Sequence, residues 1–180
     1  MIKMGFEKVA LYSNCGIRFQ NAGGALIFRG ACDIGNSSAI AVGKNGQLVV
    51  GENFRATAQL KVACQHKITF ESDVLCGWES TFVDSDFHRL TRTDGTEPPI
   101  PYAPITIGKG CWFSFKTVVM KGTTLAPYNV IASNSLVNKS FNASYSLIAG
   151  SPAKIVKTGI YRKREDDSVE YPKLEYRYDK

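Results

Sequence analysis

Three polar residues stand at alternate positions in the middle of the chain, in the order Asp84, Asp86, His88. An imidazole titrates near neutrality, so it can take the proton from a hydroxyl group as that hydroxyl attacks an electrophile. In an extended segment, residues two apart point to the same face. Either carboxylate could then orient the imidazole or hold the hydroxyls of an acceptor molecule. The spacing predicts His88 as a general base supported by Asp84 and Asp86, with turn capping as the alternative role of both carboxylates.

Trp78 and Glu79 precede this motif and are candidates for binding the acceptor. An indole can stack on the apolar face of a sugar ring, and a carboxylate can accept hydrogen bonds from sugar hydroxyls. A packed position explains Trp78 equally well. His66 is the other histidine of the chain, and its place in the repeat described below favours a structural role. Cys76 has no base beside it in sequence, so we interpret it as a small packed hydrophobe rather than a nucleophile.

Apolar residues recur with a period of six on both sides of this motif. Neither an α-helix nor an alternating strand produces a strict six, and a fixed repeat decides the architecture. Small residues such as Gly51 and Gly108 usually follow the apolar one, as a tight corner requires. The pattern predicts an all-β fold, a parallel β-helix in which each hexad forms one short strand and one turn. The apolar positions are Phe28, Ile34, Ile40, Val50, Ala56, Val62, Ile68, Val74, Ile107, Phe113, Val119, Leu125, Ile131 and Val137.

The periodicity fails between Ser80 and Ile105, in a stretch that contains four prolines. Proline cannot donate a hydrogen bond to a central ladder, so this stretch predicts one protruding loop at about residues 89–104. We expect a single β-helix domain over residues 1–158, with regular coils from about Ala25. The start over 1–24 is expected to be irregular, with two short strands and a Gly-rich turn at Gly23-Gly24 as the alternative. Residues 148–157 should close the stack. Residues 159–180 are predicted to be a C-terminal extension, either a short capping helix or an extended segment.

Composition excludes several classes of protein. The chain has 180 residues and a formal net charge of +6. It has no apolar run of about 18 residues, which predicts no membrane span, and its start lacks the apolar region of a signal peptide. Its five cysteines are scattered, which favours free thiols in the cytoplasm. The basic excess suits an anionic small ligand, and no Lys/Arg run is dense enough to indicate a nucleic-acid partner.

Three segments, VLCGWESTFVDSDFHRL, ITIGKGCWFSFKTVVMKGTTLAPYNVIASNSLVNKSF and IAGSPAKIVK, resemble the hexapeptide-repeat acyltransferases. The most similar members are the O-acetyltransferases of bacterial capsule and lipopolysaccharide biosynthesis. The resemblance implies a left-handed β-helix, a cytoplasmic homotrimer, and a cleft between subunits where acetyl-CoA meets a sugar, nucleotide-sugar or lipid-linked sugar acceptor. It places the catalytic base at His88 and implies direct attack in a ternary complex.

The same resemblance, carried over residue by residue, places the acetyl-CoA site. The pantetheine arm would run along Phe115 and Ser133, with Asn138 and Lys139 next, and the phosphates would meet cations on the closing segment, Lys154 and Lys157. Ammonium groups bind phosphate as point charges. No metal is expected.

Two alternative functions remain open, and a third is disfavoured by the composition. N-acetylation of an amino-sugar nucleotide would use the same fold and base, and a non-catalytic scaffold would keep only the prism. A γ-type carbonic anhydrase shares the β-helix but needs three histidine ligands for its zinc, whereas this chain contains two histidines.

Overall fold

The computed structural model describes residues 1–6, 10–13 and 15–166. These residues form a triangular β-helix whose three flat sheets contain eight, six and five strands. Sheet A contains β1 (Ile2–Phe6), β4 (Cys32–Gly35), β7 (Phe54–Ala56), β10 (Leu75–Cys76), β13 (Trp112–Phe113), β16 (Val130–Ile131), β18 (Ser146–Gly150) and β19 (Ala153–Thr158). Sheet B contains β2 (Ile17–Asn21), β5 (Ser38–Val42), β8 (Lys61–Cys64), β11 (Thr81–Val83), β14 (Val118–Met120) and β17 (Leu136–Val137). Sheet C contains β3 (Ala25–Phe28), β6 (Gln47–Val50), β9 (Lys67–Phe70), β12 (Ile105–Ile107) and β15 (Thr124–Leu125).

Each coil contributes one strand to each sheet in the order A, B, C, and successive coils pair in parallel. The first coil is therefore β1–β3, the fourth is β10–β12, and the fifth is β13–β15. We name the corners by the sheets they join: A–B, B–C and C–A. The predicted parallel β-helix is confirmed, because the register brings each apolar residue of the repeat over the corresponding residue of the next coil. In sheet B the stacked residues are Ile40, Val62, Phe82, Val119 and Val137.

The inward side chains form one continuous core along the axis of the prism. Its centre is a chain of four buried phenylalanine rings from all three sheets, Phe54, Phe70, Phe82 and Phe113, with successive ring centroids 4.9, 4.8 and 5.0 Å apart. Edge-to-face packing of this kind adds to the stabilisation from burial of the rings. The core therefore holds the fourth coil, from which the loop emerges, firmly between its neighbours.

The corners explain the small residues of the repeat. A Cβ atom on Gly108 would lie 2.7 Å from the backbone oxygen of Leu125 in the next coil, which is closer than real Cβ atoms approach. Other corner residues adopt positive φ although they are not glycine, and they line up on two of the three corners. They are Ser37, Gln59, Glu79, Lys116 and Asn134 on the A–B corner, and Asn53, Asp73, Tyr128 and Tyr145 on the C–A corner.

The N-terminal part of the chain differs from the prediction. Ile2 pairs with Cys32 in sheet A, and Ile17 pairs with Ser38 in sheet B, so the first coil begins at Ile2 rather than near Ala25. The connection between β1 and β2, residues 7–16, is longer than the turn of a hexad. This insertion hides the six-residue period, although the flanking strands are ordinary members of the sheets.

The predicted loop is present, and it leaves the prism earlier than residue 89. Its two legs are joined at the B–C corner by a bridge between Ser85 and Tyr102. The Asp86 amide donates to the Pro101 oxygen at 2.7 Å, and the Ala103 amide donates to the Asp84 oxygen at 3.0 Å. The loop root therefore includes the whole Asp84–His88 motif.

The last part of the described chain closes the stack and then turns along its side. β18 and β19 form an antiparallel hairpin at the end of sheet A, in agreement with the predicted closure. Tyr161 then contacts the stacked rings of Tyr128 and Tyr145, and Arg164 pairs with Asp73 at 2.8 Å. The extension thus follows the C–A corner and contains one 3-10 turn, Arg164–Asp166. The rest of the predicted extension, 167–180, lies outside the described residues.

Within the described part of the chain, none of the helical structure has the length and apolar character needed to cross a bilayer.

Candidate functional site

The predicted site residues fall on two opposite edges of sheet B and on the closing hairpin. The first edge is the A–B corner, which carries Trp78, Glu79, Phe115 and Ser133. The second is the B–C corner, which carries Asp84, Asp86, His88, Asn138 and Lys139. Lys154 and Lys157 belong to β19. A three-residue strand such as β11 spans about 10 Å, so one protomer keeps the two edges apart across the width of the sheet.

Asp84 is built into the fold. Its side chain is fully buried, one carboxylate oxygen accepts from the amide of Gln65 at 2.8 Å, and the other accepts from the amide of His66 at 2.9 Å. Both amides belong to the coil before the loop. Because both oxygens are engaged away from solvent, Asp84 does not face an acceptor or His88 in this protomer. Its contacts support the turn-capping role that the sequence left open.

Asp86 is partnered by a residue that the sequence analysis missed. Its carboxylate forms an ion pair with Lys121, which extends from the end of β14 in the following coil. The Lys121 ammonium also donates to the Ile100 oxygen at 3.3 Å. Nothing in the sequence joins residues 86 and 121, since the contact exists only when the fifth coil stacks on the fourth. The structure therefore places a cation, rather than the imidazole, on the Asp86 carboxylate.

His88 is exposed on the protruding side of the loop root. It follows Phe87, which has a φ of 59° and is itself 57% exposed. The Phe87 amide donates to the Ser85 hydroxyl at 3.1 Å, which closes a tight turn just before His88. Positive φ in a bulky residue is strained and is retained where surrounding contacts impose it. The turn presents the imidazole to solvent, where a substrate or a second protomer can reach it.

The A–B corner carries a row of three aromatic rings. The Trp78 ring lies between those of Tyr12 and Phe115, in edge contacts with centroids 6.1 Å away on each side. The Tyr12 hydroxyl donates to Glu79 at 2.7 Å. Burial and the nearby Glu79 carboxylate raise the pKa of Tyr12 to about 12, so this phenol stays protonated as a donor. Nothing in the sequence indicated Tyr12, because Tyr12 lies in the first coil and its partner Glu79 lies far along the chain.

Beside this row is a recess of about 500 Å³ with a largely polar lining. Lys116 lies 3.7 Å from Glu79 and places its ammonium 4.9 Å from the centre of the Phe115 ring. Glu79 and Lys116 line the recess together with Asn134, Ser135 and Ser151. The predicted Phe115 and Ser133 lie at this same corner, while the neighbouring side chains of Lys116 and Asn134 form the wall of the recess.

The two lysines of the closing hairpin share one outer face of sheet A. Lys154 pairs with Ala149 and Lys157 pairs with Leu147, and the register shifts between these pairs. Residues three apart in a regular strand point to opposite faces, so this bulge is what turns both ammonium groups to the same side. Both residues are exposed and available to an anion.

The remaining predicted residues at the B–C corner are exposed. Asn138 and Lys139 follow β17, and the Lys139 ammonium lies 5.4 Å from the centre of the Phe141 ring. The ring of His66 contacts that of Tyr102 with centroids 4.9 Å apart, which fits the structural role predicted for this histidine.

The cysteines agree with the rejection of a thiol nucleophile. Cys76 is buried, and burial raises the pKa of its thiol well above the usual value. A thiolate is the reactive form, so this side chain is inert. All five cysteines are free. Among the described residues, no group of three or more His, Cys, Asp or Glu side chains is placed to hold a metal ion.

Several solved structures are similar to this chain. The polySia-specific acetyltransferase NeuO matches with a TM-score of 0.68 and 22% identity, over 84% of this chain and 74% of NeuO. A hexapeptide-repeat-containing acetyltransferase from Vibrio cholerae matches with a TM-score of 0.61 and 22% identity, over 75% and 73% of the two chains. Galactoside acetyltransferase in complex with coenzyme A matches with a TM-score of 0.57 and 20% identity, over 88% and 72%. No protein-family model matches the sequence.

The chain has the left-handed β-helix fold of the hexapeptide-repeat acetyltransferases. The resemblance drawn from the sequence is confirmed at the level of the fold. The site residues carried over from that family remain predictions, and the two corners described above give the geometry in which they can be tested.

The contacts of Asp84 lead to the first testable prediction. Asp84→Ala removes a fully buried carboxylate that accepts hydrogen bonds from two backbone amides, so it should lower the free energy of unfolding by about 3 kcal/mol. Asp86→Ala is the matched control, because its quarter-exposed ion pair should contribute less than about 1 kcal/mol. Denaturant unfolding followed by circular dichroism measures both. Equal, small effects of the two substitutions would contradict the structural role of Asp84.

Proposed function

We propose that this protein is an acetyl-CoA-dependent O-acetyltransferase that modifies a sugar hydroxyl in surface-polysaccharide biosynthesis. The observation that carries the proposal is the exposed imidazole of His88, held by a strained turn at the loop root of a fold shared with acetyltransferases. The four buried free cysteines fit a reducing compartment, which supports action in the cytoplasm.

The proposed reaction is direct acyl transfer with His88 as general base. A ring nitrogen of His88 takes the proton of the acceptor hydroxyl while the hydroxyl oxygen attacks the thioester carbonyl. A C–O bond forms, the C–S bond then breaks, and the proton held on the imidazolium passes to the sulfur of coenzyme A. His88 returns to its neutral form, so the cycle consumes one acetyl-CoA and one hydroxyl and needs no other reactant.

The proposed substrates occupy the A–B corner and the closing hairpin. The aromatic row at Trp78 supplies an apolar face for a sugar ring, and the polar recess beside it suits the amides and hydroxyls of a pantetheine arm. Lys154 and Lys157 supply two cations on one face for the phosphates of coenzyme A.

The separation of the two corners supports a shared site. The base lies at the B–C corner, and the aromatic row and recess lie at the A–B corner of the same sheet. A homotrimer would bring the B–C corner of one protomer against the A–B corner of its neighbour, and each cleft would then be complete. This arrangement also explains why His88 is open to solvent in a single chain.

The base is tested by His88→Ala. Loss of positioned general-base catalysis should lower kcat by about 10²- to 10⁴-fold. The KM for acetyl-CoA should change little, because the proposed phosphate contacts lie on β19. Thiol release from acetyl-CoA with a panel of sugars measures the rate, and amino sugars in the panel separate O- from N-acetylation. His66→Ala is the matched control and should retain most activity; near-normal turnover of His88→Ala would exclude His88 as the base.

The cofactor lysines make a different prediction. Lys154→Ala and Lys157→Ala should each raise the KM for acetyl-CoA roughly threefold or more at low salt and leave kcat largely unchanged, since they bind ground and transition states alike. The difference should shrink as salt rises, because exposed ion pairs are screened. Lys154→Glu should be worse than Lys154→Ala, and Lys44→Ala in an exposed turn serves as control. Unchanged KM values at low salt would place the phosphates elsewhere.

The shared site is tested by mixing two inactive variants. His88→Ala alters only the B–C corner and Trp78→Ala only the A–B corner. If each cleft takes one corner from each of two neighbours, random co-assembly leaves about a quarter of the clefts intact and restores about that share of wild-type activity. Light scattering checks that mixed oligomers form. Mixed trimers without recovered activity would assign both corners to a single chain.

A further inference from the structure

Lys121 joins the two legs of the protruding loop. Its ammonium forms the ion pair with Asp86 on the outgoing leg and donates to the Ile100 oxygen on the returning leg at 3.3 Å. The side chains of Lys121 and Asp86 are each 25% exposed, so the pair is partly shielded from water and screened less than a surface pair. One side chain from the fifth coil thus fixes both legs of a loop that emerges from the fourth.

The third coil, on the other side of the loop, contacts only the residues where the two legs leave and re-enter the prism. The third coil supplies the amides of Gln65 and His66 to Asp84, and the His66 ring packs on Tyr102. Gly122 of the fifth coil donates its amide to Pro104 at 3.1 Å. Among the described contacts between coils, the Lys121–Asp86 pair is the one that lies nearest in sequence to His88.

From this geometry we propose that Lys121 is a positioning residue for acyl transfer, acting through Asp86 on the turn that carries His88. The proposal rests on the proposed function. Asp86 is followed directly by Phe87, whose φ of 59° sets the direction in which His88 leaves the prism. If the Asp86 side chain is released, the turn keeps the hydrogen bonds of the Asp86 amide to Pro101 and of the Phe87 amide to Ser85, but it loses its tie to the fifth coil. A base displaced by about 1 Å can lose much of its rate, since near-attack geometry is narrow.

The same pair separates positioning from stability. Lys121 lies outside the buried core, which is complete without it, so the prism should remain folded when its charge is removed. If the pair were only structural, its removal would lower the free energy of unfolding and leave kcat unchanged. A positioning contact should change kcat and leave both global unfolding and the KM for acetyl-CoA nearly unchanged.

The experiment compares Lys121→Met, Lys121→Arg, Asp86→Asn and the double variant Lys121→Met/Asp86→Asn. We expect Lys121→Met and Asp86→Asn each to lower kcat about tenfold, the double variant to lose no more than either one, and Lys121→Arg to recover most of the rate, because residues that act as a unit are non-additive. Lys109→Met, which removes an ion-paired lysine from the C–A corner, is the matched control and should keep wild-type turnover. Multiplying losses, or an arginine variant as slow as the methionine one, would overturn the proposal.

A readout without catalysis keeps this inference separate from the proposed function. Arg89 and Arg92 are exposed on the loop just beyond the Asp86 turn. Trypsin should cut after these two residues several times faster in Lys121→Met than in the wild type or in Lys109→Met, while denaturant unfolding is unchanged. If the wild type transfers no acetyl group, the proposed function fails and the cleavage rates still test the restraint. Equal cleavage rates in all three proteins would show that Lys121 does not hold the loop.

Discussion

Direct stacking of each backbone coil on the next is the constraint on which this structure depends. The corners leave no space between coils: a Cβ atom on Gly77 would lie 2.6 Å from the Ser114 oxygen, just as one on Gly108 would meet Leu125. Side chains therefore have two places, the axis of the prism or its outside. The axis is filled by apolar residues, so every group that could do chemistry must lie on an outer sheet face, project from a corner or belong to a segment that leaves the prism.

A segment that leaves the prism must also return to the same ladder. The hydrogen bonds of the fourth coil are interrupted between β11 and β12, and the legs of the loop satisfy their own backbone groups at Ser85 and Tyr102. The buried Asp84 carboxylate compensates the coil below, where it accepts hydrogen bonds from two backbone amides. The sequence motif that looks like one functional unit thus divides in space: the first carboxylate, Asp84, completes the scaffold, the second, Asp86, pairs with Lys121, and His88 is exposed to solvent.

Features that repeat along the chain could be predicted from the sequence, whereas side-chain contacts between coils could not. The six-residue period identified the inward positions, the small corner residues and the point where the prism is interrupted, because each depends on local spacing alone. It missed the first coil, where a long connection interrupts the period. It also missed Tyr12 and Lys121, whose partners lie 67 and 35 positions away along the chain. The stacking of the coils brings these residues together, and no local sequence pattern indicates which residues of another coil a corner residue contacts.

The charges of the outer surface follow the same logic. At the C–A corner, Lys109 and Arg164 both pair with Asp73: Lys109 links neighbouring coils of the prism, and Arg164 holds the C-terminal extension to it. Lys154 and Lys157 of β19 are turned to the same outer side by a bulge in the hairpin. Among the described residues, neither lysine takes part in an ion pair of this kind. The cations of the C–A corner are therefore already paired with Asp73, whereas those of the closing hairpin are available to a ligand. The closing hairpin therefore offers two exposed cations on one face to an anion, while the exposed His88 imidazole lies at the B–C corner. If His88 acts as the base, as proposed, a second protomer is the means by which donor and acceptor come within its reach.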